Sequence, residues 1–132
     1  MIVVDASALV ALSDGEDDAA AFAEALQNSS AALISSVNAF EAGLVLIGRG
    51  RLSGEKDFNS WLAEIGVTVY AEGADHTEAL RAYLTFGRGY HPARLNLGDS
   101  FAYALAKKLD APLLYKGDDF ARTDIRSALQ PT

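Results

Sequence analysis

Hydrophobic positions change their spacing several times along the chain, and each change predicts an element. Residues 1–4 (MIVV) are a short, mostly β-branched run ending at Asp5, and ASALVAL follows. That fits a buried strand handing over to a helix, with Ser7 available as the helix N-cap. Ser13–Asp18 is polar and acidic, a loop; Ala19–Leu26 (AAAFAEAL) reads as a helix and Leu33–Ile34 as a second strand. Val37–Ile47 (VNAFEAGLVLI) is apolar around its whole circumference except for Glu41. A helix of that kind is buried on every side, by the core alone or by the core and a partner subunit. Gly48 and the bases Arg49 and Arg51 close it. Glu55–Ile65 is amphipathic, with Phe58, Trp61, Leu62 and Ile65 inward; Val67–Tyr70 is a third strand and Asp75–Phe86 another helix. Arg94–Leu109 (RLNLGDSFAYALAKKL) has no proline, and Phe101, Ala104, Leu105 and Leu109 form a helical core stripe. Leu113–Tyr115 is the last clear strand, and Asp124–Thr132 adds either a short edge strand or a tail.

Strands and helices alternating from end to end imply an α/β fold, a mostly parallel sheet flanked by helices. At 132 residues this is one domain spanning 1–132. The glycine-rich pieces GRGRLSG and GRGYHP follow helices, so neither has the strand–glycine–helix context of a phosphate loop. The absence of cysteine excludes disulfides, thiolate metal sites and a cysteine nucleophile. No apolar run is long enough to cross a bilayer, and no secretory signal opens the chain, so a soluble cytoplasmic protein without membrane contact is expected. The net charge of −7 is uneven: residues 1–48 hold seven acids and no Lys or Arg, and the remainder is balanced. Such acidity argues against bulk electrostatic binding of nucleic acid. It leaves room for a local basic rim, or for a cation that neutralises clustered carboxylates.

The placement of the acids carries the chemistry. Asp5 falls at the carboxyl end of a strand, where open α/β sheets bind ligands, although a plain turn residue would look the same. Glu41 is an isolated carboxylate on an apolar helix, costly unless a metal, a base or water compensates it. Asp99 lies in a first helical turn, which favours a carboxylate with or without a further role. Its face continues through Ala102, Tyr103 and Ala106, mostly small residues beside which an acid can look into a cavity. Lys116, Asp118 and Asp119 come just past the last strand (KGDDF). In a doubly wound domain Asp5, Glu41, Asp99 and Asp118 can meet at one sheet edge. Clustered carboxylates raise each other's pKa unless a cation is present, and a hard, oxygen-rich site suits Mg²⁺ or Mn²⁺. The natural chemistry is metal-assisted attack of water on a phosphodiester. His76 and His91 lack partners at ligand spacing and read as surface residues. Arg88, Tyr90 and Arg94, on the GRGYHPAR loop, could hold a nucleic-acid backbone and stack a base, or simply be solvated.

Three blocks, IVVDASALVAL, SSVNAFEAG, and LNLGDSFAYALA with PLLYKGDDFARTDI, carry a resemblance over essentially the full chain. The sequence resembles the PIN-domain ribonucleases of the VapC toxin family. The resemblance implies a PIN fold in which Asp5, Glu41 and Asp99 are the acidic triad, catalytic and metal-binding. Asp118 or Asp119 would be the less constant fourth acid; the family often has Gly-Asn-Asp-Phe at Gly117–Phe120, and Asp118 is preferred here. Ser7 matches the small hydroxyl residue near the first acid and Asn96 the polar residue ahead of the third. Also implied are Mg²⁺ dependence with Mn²⁺ able to substitute, endonucleolytic cutting of tRNA or rRNA, and a homodimer. The expected partner is a VapB-like antitoxin whose C-terminal segment covers the active site. Arg49, Arg51, Arg88, Arg94 and Lys116 would form a local RNA-binding rim. The competing class is a catalytically silent PIN-like module that binds RNA or an antitoxin, and metal binding separates the two. A receiver domain needs an acceptor Asp after its middle strand, where VTVY is followed by Ala71-Glu72-Gly73. A haloacid-dehalogenase-type phosphatase needs Asp at position 7, which is Ser.

Overall fold

In the computed structural model, which describes residues 1–129, four short strands build one sheet. They are β1 (Ile2–Val4), β2 (Ala32–Ile34), β3 (Val67–Val69) and β4 (Leu113–Leu114), in the order β3-β2-β1-β4 with every pairing parallel. Val3 pairs with Leu33 on one side and Leu113 on the other. The helices are α1 (Ala6–Asp14), α2 (Ala19–Asn28), α3 (Ser36–Gly48), α4 (Glu55–Glu64), α5 (His76–Phe86) and α6 (Leu97–Lys108), and a 3-10 turn covers Phe120–Arg122.

The central strand is apolar without interruption because helices cover both of its faces. Ile2 and Val4 join Leu9, Phe22, Ile34, Leu46, Phe58 and Leu62 on the α1–α4 side of the core. Val3 and Leu113 join Leu95, Ala102, Tyr103, Ala106 and Phe120 on the α5–α6 side. The chain lays down β1, β2 and β3 in one direction, then returns to put β4 on the other flank of β1. That reversal is the sheet's topological switch point, and the carboxyl ends of β1 and β4 beside it are the ligand-binding position of such sheets.

Several sequence expectations are corrected here. α6 starts at Leu97 rather than Arg94: Arg94 has φ 57°, and Leu95 makes a parallel bridge to Gly87 instead of a helical turn. Its buried surface is also wider than one stripe. Ala102 and Ala106 are fully enclosed while Phe101 and Leu109 are only half-buried, so the face below Asp99 is packed rather than open. α3 is not buried all round within one chain. Ala39, Ala42, Gly43 and Leu46 face the core, where absence of a side chain on Gly43 admits the Phe58 ring; Phe40 and Leu44 remain 66% and 60% exposed. His76 is exposed as expected. His91 is half-buried: its Nδ1 accepts from the Ala93 N–H at 3.0 Å and its ring stands edge-on to Phe86. In the C-terminal segment Ser127 bridges Leu113 in parallel, extending the edge beside β4, while residues 130–132 of that expectation lie outside the described residues. No helix among the described residues is long and apolar enough to cross a membrane.

Candidate active site

Local chain geometry brings three acids to the switch point. β1 ends at Val4, so Asp5 keeps an extended backbone (φ −87°, ψ 154°) and is itself the N-cap of α1, in place of the expected Ser7. Its N–H donates to the Leu114 carbonyl at 2.9 Å, tying it to the end of β4. Its Oδ2 accepts from the Ser7 N–H at 3.0 Å and from the Ser7 hydroxyl. Ser7 Oγ in turn accepts from the Lys116 N–H at 3.0 Å, so one hydroxyl links β1, α1 and the segment after β4. Asp5 is 3% exposed, and its Oδ1 is buried without a partner. Burial pushes its carboxyl up to about 6; the Ser7 bonds oppose this, and the Glu41 charge adds to it.

Glu41 lies in the second turn of α3, half-buried, with the Asn38 carboxamide nitrogen 3.5 Å from Oε1. Its carboxyl too is pushed upward, by burial first and further by the Asp99 charge, against the Asn38 contact. Asp99 is the third residue of α6 and half of a capping box. The Asp99 N–H donates to Asn96 Oδ1 at 2.8 Å, and Asp99 Oδ2 accepts from the Asn96 N–H at 3.1 Å. Burial raises Asp99 to about 6, opposed by the Asn96 N–H and reinforced by the charges of Asp5 and Asp119. Replacing Asn96 with Ala should therefore cost about 1 kcal/mol in urea denaturation of the metal-free protein, and should also loosen Asp99.

The candidates for a fourth acid are Asp118 and Asp119. Of the two, the Asp119 charge adds a small upward push on Asp99. Asp119 turns into a helical backbone (φ −60°, ψ −50°) as the 3-10 turn begins. Both acids are exposed.

The basic residues are less gathered than the sequence reading supposed. Lys116 forms ion pairs with Glu16 and, at 3.3 Å, with Asp18. Arg49 and Arg51 both pair with Asp14 at the far end of α1, nine residues on from Asp5, about 13 Å at helical rise. Those two lie away from the switch point. Arg88 and Arg94 are exposed, and Arg88 borders the same surface hollow as Asn96, Leu97 and Ser100. Tyr90 is exposed with its ring edge-on to Tyr83. Two residues that sequence reasoning missed stand at the site, Asn38 and Gly98. The signal for Asn38 was a polar residue three before Glu41, hence on the same helical face of an otherwise apolar segment.

A cation fits this arrangement. Each triad carboxyl is held above its ordinary pKa by burial and by another acid, and a buried Asp5 oxygen lacks any donor. Among the described residues no three acids or histidines already stand as a finished metal-holding group.

A three-layer parallel fold with acids at the β1–β4 switch is the architecture of a nuclease-type PIN domain, and the PIN-domain family profile matches residues 2–126. The chain belongs to that family. Within it, the chain is 41% identical to ribonuclease VapC30 of Mycobacterium tuberculosis over 131 residues, 98% of this chain and 100% of the relative. It is 43% identical to ribonuclease VapC42 of the same species over 129 residues, 96% and 98% of the two chains. The crystal structure of Mycobacterium tuberculosis VapC20, a sarcin-ricin loop cleaving toxin, superposes with a TM-score of 0.71 at 17% identity, covering 95% of this chain and 96% of that one. Fold and family thus agree with the resemblance read from the sequence.

Proposed function

We propose that this protein is a Mg²⁺-dependent endoribonuclease, the toxin of a VapBC-like toxin–antitoxin pair acting in the cytoplasm. One observation carries the reading: the buried, donor-less Asp5 oxygen beside two further acids at the sheet's switch point. Asp5, Glu41 and Asp99 would hold the ion, with Asp119 as the fourth acid. Bound there, Mg²⁺ or Mn²⁺ supplies a water of lowered pKa and positive charge for the phosphate oxygens of the scissile bond. Ser7 fixes the Asp5 carboxylate from below and Asn96 fixes Asp99 at the start of α6. Arg88 and Arg94 are the exposed bases assigned to the RNA backbone. Lys116 joins them where a phosphate replaces Glu16 and Asp18 as its counter-charge.

The reading extends to tRNA or rRNA as substrate and to a VapB-like antitoxin whose C-terminal segment covers the site; the relatives' names, ribonuclease VapC30 and VapC42, support RNA cleavage. A homodimer belongs to the same reading, and the exposed Phe40 and Leu44 stripe of α3 offers apolar area for one of these contacts. The test is cleavage of total cellular RNA by purified, antitoxin-free protein. Discrete fragments are expected with Mg²⁺ or Mn²⁺ and should vanish with EDTA and in Asp99→Asn. Folded, metal-loaded protein that leaves tRNA and rRNA intact would instead be a binding module.

A further inference from the structure

We propose that Asn38 and Gly98 form a two-sided clamp that positions the Glu41 carboxylate, an inference that rests on the metal-site reading above. Glu41 lies directly against the start of α6: a Cβ at Gly98 would stand 2.6 Å from both Oε1 and Oε2. Real Cβ atoms do not come that close, so any other residue at position 98 would push the end of the Glu41 side chain out of its present place. Space rather than backbone conformation calls for glycine here, because Gly98 is not among the residues with positive φ.

Asn38 closes the other side. It is fully buried, and its carboxamide nitrogen donates to the Gly98 carbonyl at 2.9 Å and reaches Glu41 Oε1 at 3.5 Å. Both neighbours are acceptors, which fixes the orientation of the amide. Its own Oδ1 is then left buried with no partner. An unsatisfied buried carbonyl costs stability. An apolar side chain would remove that cost, and with it the donor that ties Glu41 and the α6 backbone together. Orientation of a ligand by groups behind it governs metal affinity as much as the ligand itself does. Asn38 and Gly98 are therefore positioning residues: they touch Glu41, not the substrate.

The test measures Mn²⁺ affinity by isothermal titration calorimetry and Tm of the metal-free protein. Both are read on the full chain for Asn38→Ala and Gly98→Ala, each with Glu41 intact and in a Glu41→Ala background. With Glu41 present, each variant should bind Mn²⁺ about tenfold more weakly. Gly98→Ala should also leave Tm lower with Glu41 present than the same substitution does without Glu41, where the added methyl finds room and Ala favours the helix. Native Mn²⁺ affinity in both variants would overturn the clamp, as would Tm losses that simply add to that of Glu41→Ala. If Asn38→Ala does not fold, Gly98→Ala carries the same comparison. Failure of the unmutated protein to bind Mn²⁺ would instead sink the metal-site reading, with the Tm coupling still showing whether the clamp exists.

Discussion

Replacing Asp5 with Asn should make the metal-free protein more stable at neutral pH while abolishing cleavage. The Asp5 carboxyl is raised from 3.8 to about 6, chiefly by burial. A carboxyl raised on folding is protonated in both states below about pH 4, where it is neutral to stability. Between about pH 4 and 6 the unfolded chain releases its proton first, so the folded form loses relative stability as pH rises. Above the folded pKa the loss is complete, and a difference of roughly two pH units corresponds to about 3 kcal/mol. Asn has no proton to lose and can keep its oxygen on the Ser7 donors. In urea denaturation with chelator, Asp5→Asn and the unmutated protein should match near pH 4 and separate by up to about 3 kcal/mol at pH 7. Excess Mn²⁺ should reverse the order, because only the intact acid cluster gains by mass action. Parallel stability curves from pH 4 to 7 would show that Asp5 bears no such burden.

This opposition between stability and function explains what was legible in the sequence. Asp5 and Asp99 could be placed because a strand end and a helix start are local events, written within a few residues of each acid. The register of the caps was less secure. Asp5 and Ser7 are both good N-caps, and only the end of β1 at Val4 decides that Asp5 has the extended backbone. Leu95 fits the helical period of α6, but its bond to Phe86 and bridge to Gly87 draw it out of the helix, and no nearby residue announces that. The Asn38–Gly98 contact joins residues 60 apart in the chain, beyond any periodicity argument. The basic rim was overdrawn for a related reason: a sequence lists charges without their partners, and Lys116, Arg49 and Arg51 are already engaged by acids. The outer face of α3 shows the complementary limit. Apolar residues on every side forecast full burial, but a helix lying on a sheet surrenders only one stripe to it, and Phe40 and Leu44 await another surface.

Truncating Phe120 to Ala should produce the largest loss of stability and also disarm the fourth acid. Phe120 directly follows Asp119, is 2% exposed, and places its ring 5.1 Å from that of Tyr115. It belongs to the α5–α6 side of the core with Val3, Leu95 and Leu113. Removing an enclosed aromatic ring costs about 3–5 kcal/mol, visible as a large fall in the urea midpoint. The same ring is the anchor of an otherwise exposed segment. The turn around Asp119 is held by a few local bonds: the Ala121 N–H to the Asp118 carbonyl at 3.1 Å, the Arg122 N–H to the Asp119 carbonyl at 3.4 Å, and the Thr123 N–H and hydroxyl to the Phe120 carbonyl at 3.0 and 2.7 Å. Without the ring, Asp119 is expected to lose its fixed relation to Asp99. RNA cleavage should then drop further than the remaining folded fraction accounts for, while Mn²⁺ still binds at Asp5 and Asp99. Phe120→Leu, which keeps most of the volume, should cost under about 1.5 kcal/mol and retain cleavage. A Phe120→Ala protein that is destabilised yet cleaves at the native rate per folded molecule would remove Asp119 from the catalytic set, leaving the triad to act alone.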